Sequence, residues 1–321
     1  MSDRSDFKRH PKLCSICLPV YNEQEGLPIF LDQLTKNLNN FEKCIGIEFE
    51  IIAVDDGSTD TSLSILKNYA DKDKRLRVFA FQQNSGHQAA ILCGLAHAKG
   101  DLIITMDSDG QDPPESIDRL INAHLQSHHE IIVAKRLTRK DGVAKKVTAY
   151  IFYRLLVLLG VPSESRDAGD YRLVTKRIKD LILAQPNSLQ YIRGQIFTLK
   201  TATRMVNIDR KDRIAGETKY TFRKMARLAI SSAFVIDPLK VAEVYISIAV
   251  LFATLSAFGG AAFLIVKVTL PGYYTAGITT LALMILFLFT IVIAMIAFQS
   301  LYMSLLFRSL RNEPAYLEKN F

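Results

Sequence analysis

Cysteine is scarce in this chain. Of the four present, Cys14 and Cys17 form a single C-x-x-C, and no second cysteine pair or histidine cluster accompanies it to complete a zinc set. The pair also falls inside the run Cys14-Ser-Ile-Cys-Leu-Pro-Val20, which reads as a strand, so all four cysteines are expected to be reduced core or surface residues. The glycine-rich G-x-G-x-x-G of a dinucleotide-binding dehydrogenase is missing after that strand, where Tyr21-Asn-Glu23 stands instead. No basic helix interleaved with aromatics is present, so the net charge of +8 does not point to nucleic acid. The first residues, Met1 to Lys12, are polar and basic and lack the apolar core of a signal peptide. The domain that follows is therefore expected to stay on the side where it is made.

Charge itself is missing from two long stretches. No charged residue occurs from Val244 to Val266, and none from Val268 to Phe307, where only Pro271-Gly272-Tyr273-Tyr274 breaks the apolar run. A bilayer core needs about 20 apolar residues per helix. Two transmembrane spans are expected, at about 244–266 and 276–301. Arg223, Lys224, Arg227 and Lys240 precede the first span, Arg308, Arg311 and Lys319 follow the second, and Lys267 alone lies between them. Positive residues stay inside, so both ends should face the cytoplasm, in a multi-pass protein of the inner (plasma) membrane. The excess of cations also suits anionic headgroups of the lipid bilayer. The chain divides into a cytoplasmic domain, 1–235, and a transmembrane hairpin with its tail, 236–321. Tyr150–Leu159 and Arg223–Ile236, apolar with basic residues, read as helices in the membrane interface, although the first suits a core-facing amphipathic helix equally well. Small residues in Ser256-Ala-Phe-Gly-Gly-Ala-Ala262 would let helices approach closely in lipid, either within one hairpin or in a homo-oligomer.

The soluble part alternates short apolar runs with helical patterns. Strands are expected at Ser15–Val20, Phe49–Val54, Leu76–Phe81, Leu102–Met106 and Glu130–Ala134. Helices are expected at Gly26–Phe41, Asp60–Ala70, Gln88–Ala98 and Pro114–Gln126. Such alternation implies an α/β fold with βαβ units and right-handed crossovers. Ligands of such folds bind beyond the carboxyl ends of the strands. The polar clusters there are Pro19-Val-Tyr-Asn-Glu23, Asp55-Asp-Gly-Ser-Thr-Asp60 and Met106-Asp-Ser-Asp-Gly-Gln-Asp-Pro-Pro-Glu115. In extended chain, residues i and i+2 point the same way, so Asp107 and Asp109 are expected to converge on a hard divalent ion, Mg²⁺ or Mn²⁺, that also takes phosphate oxygens. The EF-hand loop pattern with its terminal glutamate is absent.

These clusters, with Asn84-x-Gly86-His-Gln-Ala-Ala90, Arg166-Asp-Ala-Gly-Asp-Tyr-Arg-Leu173 and Ala215-Gly-Glu-Thr-Lys-Tyr220, follow the order seen in family 2 glycosyltransferases. Over roughly residues 13–310 the chain resembles the polyprenyl-phosphate glycosyltransferases of the bactoprenol glucosyltransferase and dolichyl-phosphate mannose synthase type. The resemblance implies a GT-A type α/β domain, a mostly parallel sheet flanked by helices, followed by interfacial helices and two transmembrane helices. It implies a nucleoside pocket lined by Pro19, Tyr21, Glu23 and Asp55 or Asp56, and a metal–diphosphate site at Asp107, Asp109 and Gln111. It makes Asp170 the acceptor-side catalytic carboxylate, and Arg136, Arg213 and Lys219 candidates for phosphate contacts. Two positions depart from the pattern: Gly110 stands where a leucine is common, and Ala134-Lys-Arg136 lacks the usual glycine and paired arginines.

The implied reaction is inverting transfer of a hexose from a nucleotide sugar donor to a polyprenyl phosphate acceptor, glucose from UDP-glucose to undecaprenyl phosphate being favoured over mannose from GDP-mannose. A phosphate monoester has a second pKa of about 6 and is largely dianionic near neutrality. It needs positioning more than deprotonation, so Asp170 is expected either to orient the site or to serve as base. A processive polysaccharide synthase usually carries Gln-x-x-Arg-Trp, and this chain has no tryptophan. A non-enzymatic membrane adaptor would have no use for a metal motif.

Overall fold

The computed structural model describes residues 11–136, 168–185 and 201–209 continuously, with single positions at 192, 196 and 199, isolated positions between 247 and 306, and residues 318–319. The elements in order are β1 (Leu13–Val20), α1 (Leu27–Ile45), β2 (Glu48–Asp55), α2 (Ser62–Lys72), β3 (Leu76–Ala80), α3 (His87–His97), β4 (Leu102–Thr105), a 3-10 turn (Pro114–Ser116), α4 (Ile117–Ser127), β5 (Ile131–Arg136), β6 (Ala168–Thr175), α5 (Lys176–Leu183) and β7 (Thr203–Ile208). The strands form one sheet in the order β3-β2-β1-β4-β6-β5-β7.

Strands β3, β2, β1 and β4 are mutually parallel, as the alternating pattern requires. β6 is antiparallel to both β4 and β5, and β7 is parallel to β5. Neither β6 nor β7 is among the strands expected from the sequence. The reason for β6 is visible in its residues. Tyr171 and Leu173 enter the core on one face and Val174 enters it on the other, but the buried charged residues Asp170 and Arg172 interrupt the apolar signature.

Helices cover both faces of the sheet. Cys14, Ile16, Leu18 and Val20 of β1 pack with Phe30, Leu31 and Leu34 of α1 and Leu120 and Ile121 of α4. Cys17 of β1, Ile52 and Val54 of β2 and Ile103 of β4 pack with Ala90, Ile91 and Cys93 of α3 and Ile178 and Ile182 of α5. This two-sided burial explains why β1 and β2 read as continuous apolar runs. The two cysteines of the C-x-x-C face opposite sides of the sheet, both buried and free. Burial pushes both thiols far above the usual range. α1 runs to Ile45, about one turn beyond the expected Phe41, and ends where Gly46 takes a φ of 71° and donates its N–H to Glu42.

The interfacial helices at 150–159 and 223–236, the boundary at 235/236, and Arg213 and Lys219 lie outside the described residues. So does most of the two expected spans. The positions described there are helical, and Leu251, Phe258, Ile265, Leu281 and Ile285 among them are exposed. Among the described residues no helix is long and apolar enough to cross a membrane.

Candidate active site

The parallel strands bring the ends of β1, β2, β3 and β4 to one edge of the sheet. β6, running the other way, starts at that edge, with Arg172 opposite Thr105. Asp170 thus lies just beyond the carboxyl end of β4. β5 and β7 end at the same edge, where Arg136 is opposite Ile208.

The strand order reverses between β1 and β4. Val20 O accepts from Asp56 N and Cys17 O from Met106 N, so alternate β1 residues bond to β2 and to β4. Pro19 falls in the set facing β4, whose ladder with β1 stops at Cys17 opposite Thr105. Its missing N–H costs nothing there. Its carbonyl, exposed past the end of β4, accepts from Ser108 Oγ at 2.9 Å and so anchors the Asp107–Asp109 loop.

The loops after β1 and β2 are stitched together. Asn22 N donates to Ser58 Oγ at 3.0 Å, Glu23 N to Ser62 Oγ at 2.9 Å, and Thr59 N to Asn22 Oδ1 at 2.8 Å. Tyr21 and Glu23 are half-buried on this rim. Asp60 Oδ1 accepts from Ser62 N at the start of α2, a capping role.

Asp55 and Asp56, adjacent in sequence, do different work. Asp56 Oδ1 accepts from Ser85 N at 2.7 Å and Gly86 N at 3.0 Å, and its Oδ2 accepts from Asn84 Nδ2 at 3.0 Å. Its carboxylate holds the loop before α3. Desolvation by burial raises its pKa against the pull of those backbone donors. Gly57 makes the close approach of the two loops feasible. It has a φ of 69°, and a Cβ there would sit 2.6 Å from the carbonyl carbon of Gln83. Asp55 is fully buried. Its Oδ2 accepts from Ser58 N at 3.1 Å, and its Oδ1 has no hydrogen-bond partner among the described residues. Of the two aspartates, Asp55 is the one with an oxygen to offer a ligand.

β4 ends at Thr105, so Asp107 and Asp109 lie in a turn rather than in extended chain. The alternation argument therefore does not set their directions. The turn does: Asp107 N donates to Asp112 Oδ2 at 2.9 Å, Gln111 N donates to Asp109 Oδ1 at 3.0 Å, and Gly110 takes a φ of 80°. Asp112, fully buried, is the organising residue that the sequence reading passed over. Gln111 is half-buried, and its backbone enters this network. Arg136 ends β5; its side chain is outside the described set.

Asp170 is buried beside Arg172, whose Nη2 donates to Asp170 Oδ1 and whose Nε lies 3.5 Å from the Asp170 carbonyl. Thr105 Oγ1 donates to that carbonyl as well. His87, the first residue of α3, stands with Nε2 3.5 Å from Asp107 Oδ1 and 3.5 Å from Asp170 Oδ2. It stands between the Asp107 and Asp170 carboxylates. It lies within the Asn84-x-Gly86-His motif, and the sequence alone assigns it no role. In the sequence the available signal is a histidine directly after a glycine at the start of a helical pattern; the structure gives that glycine, Gly86, a φ of 100°.

Residues 15–191 match the family described as Glycosyl transferase family 2. The chain is 31% identical to the SfII prophage-derived bactoprenol glucosyl transferase of Shigella flexneri over 308 residues, 95% of this chain and 97% of that protein. It is 31% identical to the undecaprenyl-phosphate 4-deoxy-4-formamido-L-arabinose transferase of Proteus mirabilis (strain HI4320) over 229 residues, 70% of this chain and 67% of that protein. Among solved structures, mannosyl-3-phosphoglycerate synthase from Rubrobacter xylanophilus shares the fold with a TM-score of 0.52 at 15% identity, over 73% of this chain and 75% of that one. With the family match spanning more than half of its length, the chain belongs to glycosyl transferase family 2 and is a glycosyltransferase.

Proposed function

We propose that this glycosyltransferase moves glucose from UDP-glucose to undecaprenyl phosphate, with inversion, at the cytoplasmic face of a membrane to which its C-terminal hairpin anchors it. The observation that carries this reading is the buried, unpartnered Oδ1 of Asp55 on the same sheet edge as Asp107 and Asp170. A nucleobase imide N–H would satisfy that oxygen, and leaving it unsatisfied costs about 1–3 kcal/mol. Uracil presents one such N–H. Guanine presents a pair of donors, which suits a carboxylate with both oxygens available, whereas Asp55 Oδ2 already accepts from Ser58 N. This favours a uridine donor.

Asp107 and Asp109 form an all-oxygen donor set in one loop, the chemistry that fits Mg²⁺ or Mn²⁺. When bound there, such an ion would neutralise charge on the departing nucleoside diphosphate. The chain's own residues do the rest. α3 begins at His87 and directs its positive end toward this edge, where phosphates gather. His87 spaces Asp107 from Asp170. Asp170, engaged by Arg172 through a charge-assisted hydrogen bond, positions the acceptor side rather than taking a proton, in keeping with a nucleophile that arrives already ionised. Direct attack opposite the leaving diphosphate inverts the anomeric carbon.

Both relatives' names place a polyprenyl carrier on the acceptor side but differ in the sugar, glucose in one and 4-deoxy-4-formamido-L-arabinose in the other. The acceptor is thus the better supported half of the reading. Membrane anchoring is supported by the apolar stretches 244–266 and 276–301, and by exposed side chains such as Phe258, 79% accessible. A screen of radiolabelled UDP-glucose, UDP-galactose and GDP-mannose with purified protein and undecaprenyl phosphate tests the reading. Lipid-extractable label is expected from UDP-glucose. Label from GDP-mannose alone, or none from any donor, overturns it.

A further inference from the structure

We propose that Cys93, His97 and Glu318 form a zinc-class cation site that fastens the C-terminal end of the chain to the catalytic domain. The site lies away from the sheet edge described above and does not depend on the transfer reaction. Cys93 and His97 are one turn apart on α3 and share a face. Glu318 reaches them from the far end of the chain. It forms an antiparallel bridge with Phe81, just beyond β3, and Lys319 N donates to Ala80 O at 2.7 Å. That backbone pairing seats Glu318 Oε1 3.0 Å from His97 Nε2 and 3.7 Å from Cys93 Sγ.

The ligand atoms of all three residues lie within 4.8 Å of one another. For tetrahedral zinc with ordinary bond lengths, the ligand–ligand separations are about 3.3 Å for nitrogen to oxygen and about 3.5 Å for sulfur to oxygen. The observed separations bracket these values, so an ion enters with small side-chain adjustments. The imidazole is held in place. It stacks on Phe79 with ring centroids 3.8 Å apart, and Arg77 lies over the other ring while donating to His97 O. Arg77 is also paired with Glu50, which offsets its charge near a cation. His97 and Glu318 are each about one-third exposed, which leaves an entry path and room for water as a fourth ligand. Glu318 Oε1 faces both the His97 imidazole and the Cys93 thiol, which brings a nitrogen, a sulfur and an oxygen donor together at one point.

Donor chemistry separates this site from the active centre. Sulfur with imidazole selects zinc-like ions, whereas the Asp107–Asp109 loop offers oxygen only. Sequence spacing could not show the site, because Glu318 is 221 residues from His97.

The test uses the full chain in detergent, stripped with chelator and titrated with Co²⁺ as a spectroscopic substitute. A near-ultraviolet thiolate-to-Co²⁺ band that saturates at one equivalent and is displaced by Zn²⁺ is expected, persisting in Cys44→Ala and vanishing in Cys93→Ser. Because Cys93 is buried, Glu318→Gln, at a half-buried position, is the decisive variant. It should weaken Zn²⁺ binding at least tenfold and render the tail susceptible to protease even when Zn²⁺ is present. Absence of the band in the wild-type chain, or wild-type Zn²⁺ affinity in Glu318→Gln, overturns the proposal.

Discussion

Arg172 holds the carboxylate of Asp170 from two residues further along β6, and both side chains are buried at the edge where β4 ends. This pairing gives the Asp170 carboxylate a fixed direction and a compensated charge. Asp170→Asn is therefore expected to lower turnover less than Asp109→Asn does. Arg172→Met leaves the Asp170 charge uncompensated and should cost about 3–5 kcal/mol of stability, read as a fall in melting temperature. Equal turnover losses in Asp170→Asn and Asp109→Asn would instead make Asp170 an essential base.

Asp55 faces donors on both oxygens if a uracil imide meets Oδ1 while Ser58 N meets Oδ2. An asparagine there must turn its own N–H₂ toward one of them. Asp55→Asn should raise the KM for UDP-glucose at least tenfold, about 1.4 kcal/mol, with a smaller change in kcat. Steady-state kinetics at saturating lipid phosphate give the answer. An unchanged KM would remove Asp55 from the base pocket.

Much of this was legible in the sequence. The βαβ alternation of residues 13–136 placed five strands and four helices, because two-sided burial writes continuous apolar runs and one-sided burial writes helical periodicity. β6 and β7 were not legible. β6 buries a charge pair whose partners satisfy each other only in three dimensions, and the seven-strand order needs a strand running against the rest. At the site, the residue types were readable but their division of labour was not. Nothing in Asp55-Asp56 says which carboxylate will be consumed by the loop at 84–86, nor that Asp112 will organise the turn carrying Asp107. The link from His87 to Asp107 and Asp170 spans elements far apart in the chain and appears only once the sheet is assembled.

Glu50 ties β2 to the far edge of the sheet, accepting from Ser15 Oγ at 2.6 Å, Lys99 N at 2.7 Å and Arg77 Nη1 at 3.2 Å. Desolvation works to raise its pKa, but these donors prevail and hold it below its ordinary value of 4.5. A carboxylate depressed in the folded state contributes stability that is fully present above its unfolded pKa and is lost as pH falls through the folded one. The protein should therefore lose melting temperature as pH drops below 4.5, and Glu50→Gln should flatten that acid limb. Thermal melts of both proteins from neutral to acid pH test this. A parallel acid limb in the variant would assign the loss to other groups.

The cation distribution around 244–266 and 276–301 places both termini in the cytoplasm under the proposed topology. In intact cells, a membrane-impermeant thiol reagent should modify a cysteine at Tyr273 and spare one at Asn320. Reaction at Asn320 but not at Tyr273 would invert the orientation and separate the catalytic domain from a cytoplasmic donor.

The central claim is glycosyl transfer to a lipid phosphate, organised by the Asp107–Asp109 loop. Its most direct measurement is the initial rate at which labelled glucose passes from UDP-glucose into the undecaprenyl phosphate fraction. The comparison is between wild-type protein and Asp109→Asn of matched melting temperature, each with Mg²⁺ or Mn²⁺ and with excess chelator. The account expects transfer by wild type with divalent ion, loss of transfer in chelator, and a loss of at least a hundredfold in Asp109→Asn, about 2.7 kcal/mol of transition-state stabilisation. Wild-type rates in Asp109→Asn or in chelator would contradict it.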